Sequence, residues 1–279
     1  METDVVVIGS GAAGMVAALT AAEAGAKVSV LEKLRHQGGT SNFAQGLFAV
    51  ESNMQRERYI GITCDEAFKT AMDYSHWRAN PYLVRAIINK SASTISWLQK
   101  QGVEFVEPVT MFNNAPRTWH ILKGKPRAGG RGSAMIKVLV VRAKERGVDL
   151  WLATPVKKII KEAYPGKGQS GGGKITGVIS EKDGKDIQIN AKAVIIATGG
   201  YANNSEWVKK YSGFELGVNL FPLGNIDKMG DGIRLAWEAG GAEEEAVVIL
   251  AVGCPDVSLR CHVCSLSLSF ARGLDPGYA

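Results

Sequence analysis

The sequence holds little that would export the chain or carry it into a membrane. Met1-Glu2-Thr3-Asp4 leads straight into an apolar run, with no basic segment and no small-residue cleavage site, so no signal peptide is expected. No apolar stretch is long enough to span a bilayer, and no membrane span is expected. Cysteine is scarce. Of the four, three fall between Cys254 and Cys264, which argues against a disulfide framework and for free thiols in a reducing compartment, the cytoplasm by default. Internal repeats are absent. No basic helix or aromatic-interleaved basic patch stands out, which sets nucleic-acid binding aside. The net charge of +6 is mild, with short basic groups at residues 123–131 and 157–161. Such a field suits an anionic cofactor and an anionic small-molecule substrate without demanding either.

Glycine, by contrast, is abundant. The 33 glycines fall in short clusters between apolar runs, as tight turns that bring backbone close to a ligand or another element require. Residues 4–8 form a short β-branched run of the kind buried on both faces of a parallel sheet. Gly9-Ser10-Gly11-Ala12-Ala13-Gly14 turns that run into an alanine-rich helix over residues 15–24, stopped by Gly25. Residues 27–31 supply a second buried strand ending at Glu32, completing a βαβ unit.

Further along, helical spacing appears at residues 64–76 and 81–101, with Pro81 at the start of the second and Gly102 past its end. A third helix is expected over 133–146, then strands over 148–153 and 156–160. Residues 174–180 and 186–190 flank Lys182-Asp183-Gly184-Lys185, a hairpin signal with Asp-Gly at its centre. A separate apolar strand is expected over 193–197, running into Thr198-Gly199-Gly200. Residues 165–173 read as a glycine-rich loop tip, and the composition shifts after Ala242.

Three motifs carry chemistry. In the first, Gly9 allows a sharp strand-to-helix turn and Gly11 leaves room for a pyrophosphate beside the backbone. Gly14 lets helix and strand pack closely, and the helix N-terminus offers free N–H groups. Glu32 is positioned to accept hydrogen bonds from both hydroxyls of a ribose, and its charge speaks against a 2′-phosphate, leaving NAD and FAD open. The second motif is Gly38-Gly39-Thr40-Ser41-Asn42-Phe43-Ala44-Gln45-Gly46, read equally as a backbone bed for a flat ligand or as a polar loop. The third is the meander that ends in Ala193-Val194-Ile195-Ile196-Ala197-Thr198-Gly199-Gly200.

On these motifs, over roughly residues 4–242, the chain resembles the FAD-binding part of the fumarate reductase and succinate dehydrogenase flavoprotein family. That family also includes soluble flavin reductases and ketosteroid dehydrogenases. The resemblance implies an α/β fold, a Rossmann-like FAD/NAD(P)-binding domain with a central parallel sheet, a β-meander and a helical excursion. It implies pyrophosphate contacts at Gly9, Gly11 and Gly14 and a contact from Glu32 to the adenosine ribose, with Ala13 and Lys33 also among the cofactor-binding residues. Gly39, Thr40, Ser41, Asn42, Ala44 and Gly46 would run beside the flavin. Val156 would meet the adenine through its main chain, and Ala197, Thr198 and Gly199 would lie near the phosphates. Asp231, in Gly230-Asp231-Gly232, would help hold the cofactor, its structural alternative being a helix N-cap. Covalent members attach FAD through a histidine in the region of residues 39–46. None lies there in this chain, so a dissociable FAD is expected.

The stretch after Gly232 is too short for the family's capping domain and returning segment, which carry its substrate-clamping and proton-delivering residues. The fold is therefore expected to be incomplete: an FAD domain over 1–242 and an atypical tail over 243–279, truncated or frameshifted. The implied activity is hydride transfer between flavin N5 and a carbon–carbon bond beside a carboxylate or carbonyl. The alternatives are an inactive FAD-binding fragment and an NAD-linked dehydrogenase. Catalytic residues, the substrate and the electron donor or acceptor are not named by the sequence. No metal is expected: Cys261-His262-Val263-Cys264 lacks a second ligand pair. His120 is read as structural in preference to substrate-orienting, and Trp97 as core.

Overall fold

The computed structural model describes residues 1–109, 116–125, 130–163, 173–218, 220–221 and 227–243. The Cys261–Cys264 motif, most of the glycine-rich loop over 165–173 and nearly all of the 243–279 tail lie outside them. In chain order the elements are β1 (Glu2–Ile8), α1 (Ala12–Glu23), β2 (Val28–Leu31), β3 (Gly46–Phe48), α2 (Asn53–Arg56), α3 (Cys64–Tyr74) and α4 (Pro81–Lys100). There follow β4 (Phe105–Val109), β5 (Trp119–Leu122), α5 (Arg131–Glu145), β6 (Asp149–Trp151), β7 (Val156–Ala163), β8 (Gly173–Lys182), β9 (Lys185–Ile196), α6 (Ser205–Ser212) and α7 (Asp231–Glu238). They fall into two compact units. The first comprises Met1–Asn42, Ile136–Val208 and Asn225–Glu243; the second includes Phe43–Met135 and Lys209–Gly224.

A six-stranded sheet, ordered β6-β2-β1-β9-β8-β7, organises the first unit. Its first four strands run parallel and the meander β9-β8-β7 is antiparallel, so the expected parallel sheet and its β-meander form one mixed sheet. The segments expected as two strands, over 186–190 and 193–197, are one strand. β9 pairs antiparallel with β8 from Lys185 to Asn190, then parallel with β1 from Asn190 to Ile196. No glycine or proline interrupts residues 185–196, so nothing breaks the extended chain between its two partners. Val6, Ile8, Leu31, Ile159, Val178, Ile189, Ala191 and Leu235 form one apolar cluster on this sheet. Each fully buried aliphatic side chain of that kind contributes about 1.5–3 kcal/mol. The apolar end of β9 is not buried on both faces as its sequence suggested: Ile195 is half-buried and Ile196 is 37% exposed.

In the second unit the helices start where side chains can cap them. Asn80 Oδ1 accepts from the amides of Tyr82 and Leu83, with Pro81 at the first helical position of α4. Thr63 and Glu66 form a reciprocal capping box at the start of α3. Val50, Ala67, Met72, Ala79, Val84 and Ile88 make its main core cluster, while Trp97 is only half-buried. A small antiparallel sheet, β3-β5-β4, was not anticipated, because its strands are only three to five residues long.

His120 sits on β5 with no exposed surface. Its Nδ1 faces the Thr118 carbonyl at 3.2 Å and its Nε2 faces Ser52 Oγ at 2.7 Å. A carbonyl only accepts, so Nδ1 carries the proton and Nε2 accepts from the Ser52 hydroxyl. Ser52 Oγ in turn accepts from the Gln55 amide, and Gln55 Nε2 donates to the Arg117 carbonyl. The histidine is a buried neutral member of a filled polar network, in line with the structural reading. Burial pushes its pKa below the ordinary 6.5, against weaker raising effects from backbone hydrogen bonds at Thr118 and Leu47. A histidine depressed in the folded state leaves stability intact above the unfolded value and removes it as pH falls below about 6.5, where only the unfolded chain takes up the proton. The melting temperature should therefore fall more steeply between pH 7.5 and 5.5 in the wild type than in His120→Gln. Equal slopes in differential scanning fluorimetry would show that His120 is not buried neutral.

Candidate functional site

The first unit contains an open cleft of about 960 Å³ at the carboxyl ends of β1, β2 and β9. Open α/β sheets place ligands at such an edge. The strand-to-helix turn at its floor is shaped by contacts that exclude side chains. Gly9 has φ +101°, and a Cβ there would lie 2.7 Å from the Ala197 carbonyl oxygen. At Gly14 a Cβ would lie 1.9 Å from the Gly9 carbonyl oxygen, so α1 sits on the turn that starts it. Gly11 is different. A Cβ there meets nothing nearer than Ser41 Oγ at 3.5 Å, and its φ of −65° is open to any residue. Protein packing does not explain this glycine, whereas close approach by a ligand does. An α-helix leaves its first amides without intrahelical partners. Here Ala12 donates to Ser41 Oγ at 3.0 Å, and Gly11 at the N-cap has no side chain to satisfy another.

Glu32, only 7% exposed, closes β2. Its Oε2 accepts from the Ser10 amide (2.9 Å) and the Ser10 hydroxyl (2.6 Å), and its Oε1 from the Leu34 amide (2.9 Å). An ionised carboxylate offers about four acceptor positions, so about one remains, not the two that joint recognition of both ribose hydroxyls would use. Beside it, Lys33 Nζ contacts Asp231 Oδ2 at 2.7 Å, and the side chain and carbonyl of Asp227 at 2.9 and 2.6 Å. Burial opposes the Lys33 charge, but the hydrogen bonds to Asp231 and Asp227 outweigh it and raise its pKa. Asp231 is the first residue of α7 and not its cap. Gly230 occupies the N-cap in the left-handed region at φ +85° and provides no side-chain hydrogen bond.

Gly232 explains why α7 begins there. A Cβ at this position would lie 2.1 Å from Thr198 Oγ1 and 2.5 Å from Ile196 Cγ2, so the first turn of α7 rests directly on the end of β9. Trp207 packs over Gly230 and against Trp237, with ring centroids 5.2 Å apart. Across the cleft floor, Gly38 has φ +100° and is covered by the Asn42 side chain. Asn42 Nδ2 donates to the Gln37 carbonyl, which turns the asparagine to loop structure. Thr40 Oγ1, also in the cleft lining, is buried and has no hydrogen-bond partner among the described residues.

Of the residues singled out from the sequence, Gly9, Gly11, Ala13, Glu32, Lys33, Gly39, Thr40, Ser41, Val156, Ala197, Thr198, Gly199 and Asp231 line this one cleft. Gly14 and Asn42 are not part of its lining. Ala44 and Gly46 belong to the second unit, where Gly46 opens β3 and a Cβ on it would lie 2.5 Å from the His120 carbonyl oxygen. Val156 precedes an irregularity in the β7–β8 ladder, which passes from Val156↔Ser180 to Lys158↔Ile179 and leaves Lys157 outside the register. Bulges of this kind recur beside binding sites, where they release backbone groups from the ladder.

Ser10, which is not part of the cleft lining, and Lys228, which is, both escaped the sequence reading. Ser10 is fully buried and bonded to Glu32; its only signal was a hydroxyl inside the glycine motif. Lys228 lies over Gly199, its Cε 3.5 Å from where a Cβ would stand, and burial lowers its pKa. Its main chain is held both ways by Asn203, whose side chain accepts from Lys228 N and whose amide donates to the Lys228 carbonyl. Among the described residues there is no His/Cys/Asp/Glu cluster suited to a metal and no helix long and apolar enough to cross a membrane.

The site can thus be tested for fit to a dinucleotide such as FAD. A glycine unexplained by packing, uncapped helix amides, an unsatisfied hydroxyl and a buried carboxylate with acceptor capacity all converge on one cleft, and they fit such a ligand. Comparison with known proteins agrees. The chain is 39% identical over 242 residues to vinyl phenol reductase of Lactiplantibacillus plantarum, covering 86% of this chain and 46% of that protein. It is 30% identical over 251 residues to the cytochrome-type fumarate reductase of Shewanella frigidimarina, covering 89% and 42%. Among solved structures, the open conformation of a flavocytochrome c3 fumarate reductase superposes with a TM-score of 0.74 at 26% identity, over 86% of this chain and 41% of that one. A 3-ketosteroid dehydrogenase from Rhodococcus jostii shares the fold at the same TM-score and 23% identity, over 86% and 54%. The chain spans about half the length of the first of these relatives and less of the second. The model describing the FAD binding domain matches residues 4–258, and the chain belongs to that family, with FAD as its cofactor.

Proposed function

We propose that this chain is the cofactor-holding part of a flavin-dependent reductase that binds FAD without a covalent link and acts on a carbon–carbon double bond beside a carboxylate or carbonyl. The observation that carries the cofactor assignment is Gly11, a glycine that neither φ nor packing requires, at the mouth of an uncapped helix N-terminus. Support for the reaction class comes from the relatives, which include a vinyl phenol reductase, fumarate reductases and a urocanate reductase. Fumarate and urocanate are carboxylates, which supports a small anionic substrate.

Within the chain, the roles divide by position. The first turn of α1 and the Ser41 hydroxyl face the diphosphate, and Glu32 takes a ribose hydroxyl while repelling a 2′-phosphate. Lys33 anchors Asp231, and with it the start of α7, at the rim. Lys228 supplies a desolvated positive charge over Gly199. Val156 offers main-chain groups to the adenine. Bound flavin supplies hydride transfer at N5. The absence of histidine from residues 39–46 supports a dissociable cofactor.

A second reading is favoured by one fact, that the chain spans 46% of vinyl phenol reductase. On that reading it binds FAD but does not turn over by itself. Dye-coupled reduction of fumarate or a vinyl phenol by the yellow protein separates the two: turnover supports the reductase, and bound flavin without turnover supports the binding module.

Two outcomes test the cofactor assignment. The purified chain should show flavin absorbance that passes wholly into the supernatant on acid precipitation; colour retained in the pellet would mean a covalent link, and a chain that ignores added FAD would remove the assignment. The two glycines of the turn should also separate. Gly14→Ala should destabilise the fold by roughly 3 kcal/mol or more, because its Cβ has no space. Gly11→Ala should change stability by less than about 1 kcal/mol yet weaken FAD binding by about tenfold or more. Thermal melts and fluorescence titration read both, and a Gly11→Ala protein with unchanged affinity would sink the argument.

A further inference from the structure

Ser10 lies inside the glycine motif, has no exposed surface, and is bonded on every polar atom. Its amide and hydroxyl both donate to Glu32 Oε2, at 2.9 and 2.6 Å. The Gly38 amide donates to the Ser10 carbonyl at 3.1 Å and approaches its Oγ at 3.3 Å. From there the path continues: the Ser41 amide donates to the Gly38 carbonyl at 3.0 Å, and Ser41 Oγ accepts from Ala12 at 3.0 Å. These bonds close a ring around Gly11 that joins the acidic end of β2 to the first amide of α1.

We infer that Ser10 is a positioning residue that sets how this chain reads a ribose: by occupying both positions on Glu32 Oε2, it turns the carboxylate and leaves Oε1 to accept one hydroxyl. With Leu34 already on Oε1, about one acceptor position is open. A carboxylate so loaded discriminates a single ribose hydroxyl. Without the serine hydroxyl, Glu32 would gain an acceptor position and lose the contact that fixes its orientation, and the Gly38 amide would keep only its bond to the Ser10 carbonyl. The inference rests on the reading of the cleft as the seat of the ADP half of FAD.

The test is ADP binding by isothermal calorimetry to the flavin-free chain, with wild type, Ser10→Ala, Glu32→Gln and the double variant. Ser10→Ala should weaken ADP by about tenfold in the wild-type background and by less than about twofold in the Glu32→Gln background, because its effect passes through the carboxylate. Equal losses in both backgrounds would overturn the inference. Thermal melts of the ligand-free proteins check folding, and Ser10→Gly, which keeps the amide bond to Glu32, serves if Ser10→Ala does not fold.

The wild type provides a readout that needs no variant. Of 2′-deoxy-ADP and 3′-deoxy-ADP, only one should lose about tenfold relative to ADP, and Ser10→Ala should narrow that gap. Equal losses for both analogues, or none for either, would overturn the single-hydroxyl reading. If wild type binds neither ADP nor FAD, the cofactor assignment itself fails; if it binds both and the gaps do not move, only the role of Ser10 fails.

Discussion

The first unit depends on how closely α1 can approach the end of β1. At Gly14 the helix comes so near the Gly9 carbonyl that a single methyl group would stand 1.9 Å from the oxygen. Because the helix is seated that deeply, its N-terminal amides end beside the carboxyl ends of β1 and β9, and not above them. Gly9 meets the Ala197 carbonyl in the same way, and Gly232 meets Thr198. Three glycines therefore bring two helix starts onto one strand end. A close-packed interior has no slack to absorb a side chain at such points. The cleft is what remains between these contacts.

Charge in the cleft is arranged with the same economy. Lys33 is shared between Asp227 and Asp231 at the rim, and such partly exposed pairs add little stability of their own. Their effect is positional, since they join the end of β2 to the start of α7. Lys228 is held differently: its backbone is tied to Asn203 while its side chain lies against Gly199, where burial penalises its charge.

Much of this was legible in residues. Gly9 and Gly14 declare themselves because their places have no room for a side chain, and Gly11 and Glu32 because the spacing between a strand, a helix and a second strand singles them out. Helix starts at Asn80 and Thr63 are legible for a similar reason, through side chains that accept from free amides. Other features depend on partners distant in sequence. Nothing local in Lys185–Ile196 says that one strand serves an antiparallel and a parallel neighbour in turn. The strands of the β3-β5-β4 sheet are too short to show alternation, and one of them contains a proline. Ser10 looks like a spacer until Glu32, 22 residues away, is seen on its hydroxyl. The bond from Asn42 Nδ2 to the Gln37 carbonyl, which ties the asparagine to its own loop, was equally invisible in the residue types.

The double allegiance of β9 bears on how such a domain changes over evolutionary time. Asn190 marks the handover, paired with Gly177 on one side and Glu2 on the other. Beyond it, five residues paired in parallel with β1 set where Thr198 and Gly199 arrive, independently of the hairpin at Asp183-Gly184. The outer meander can lengthen or shorten without moving the end of the strand that lines the cleft. The strand thus separates an outer hairpin from the stretch that anchors the cleft, so that a change in the one need not reach the other.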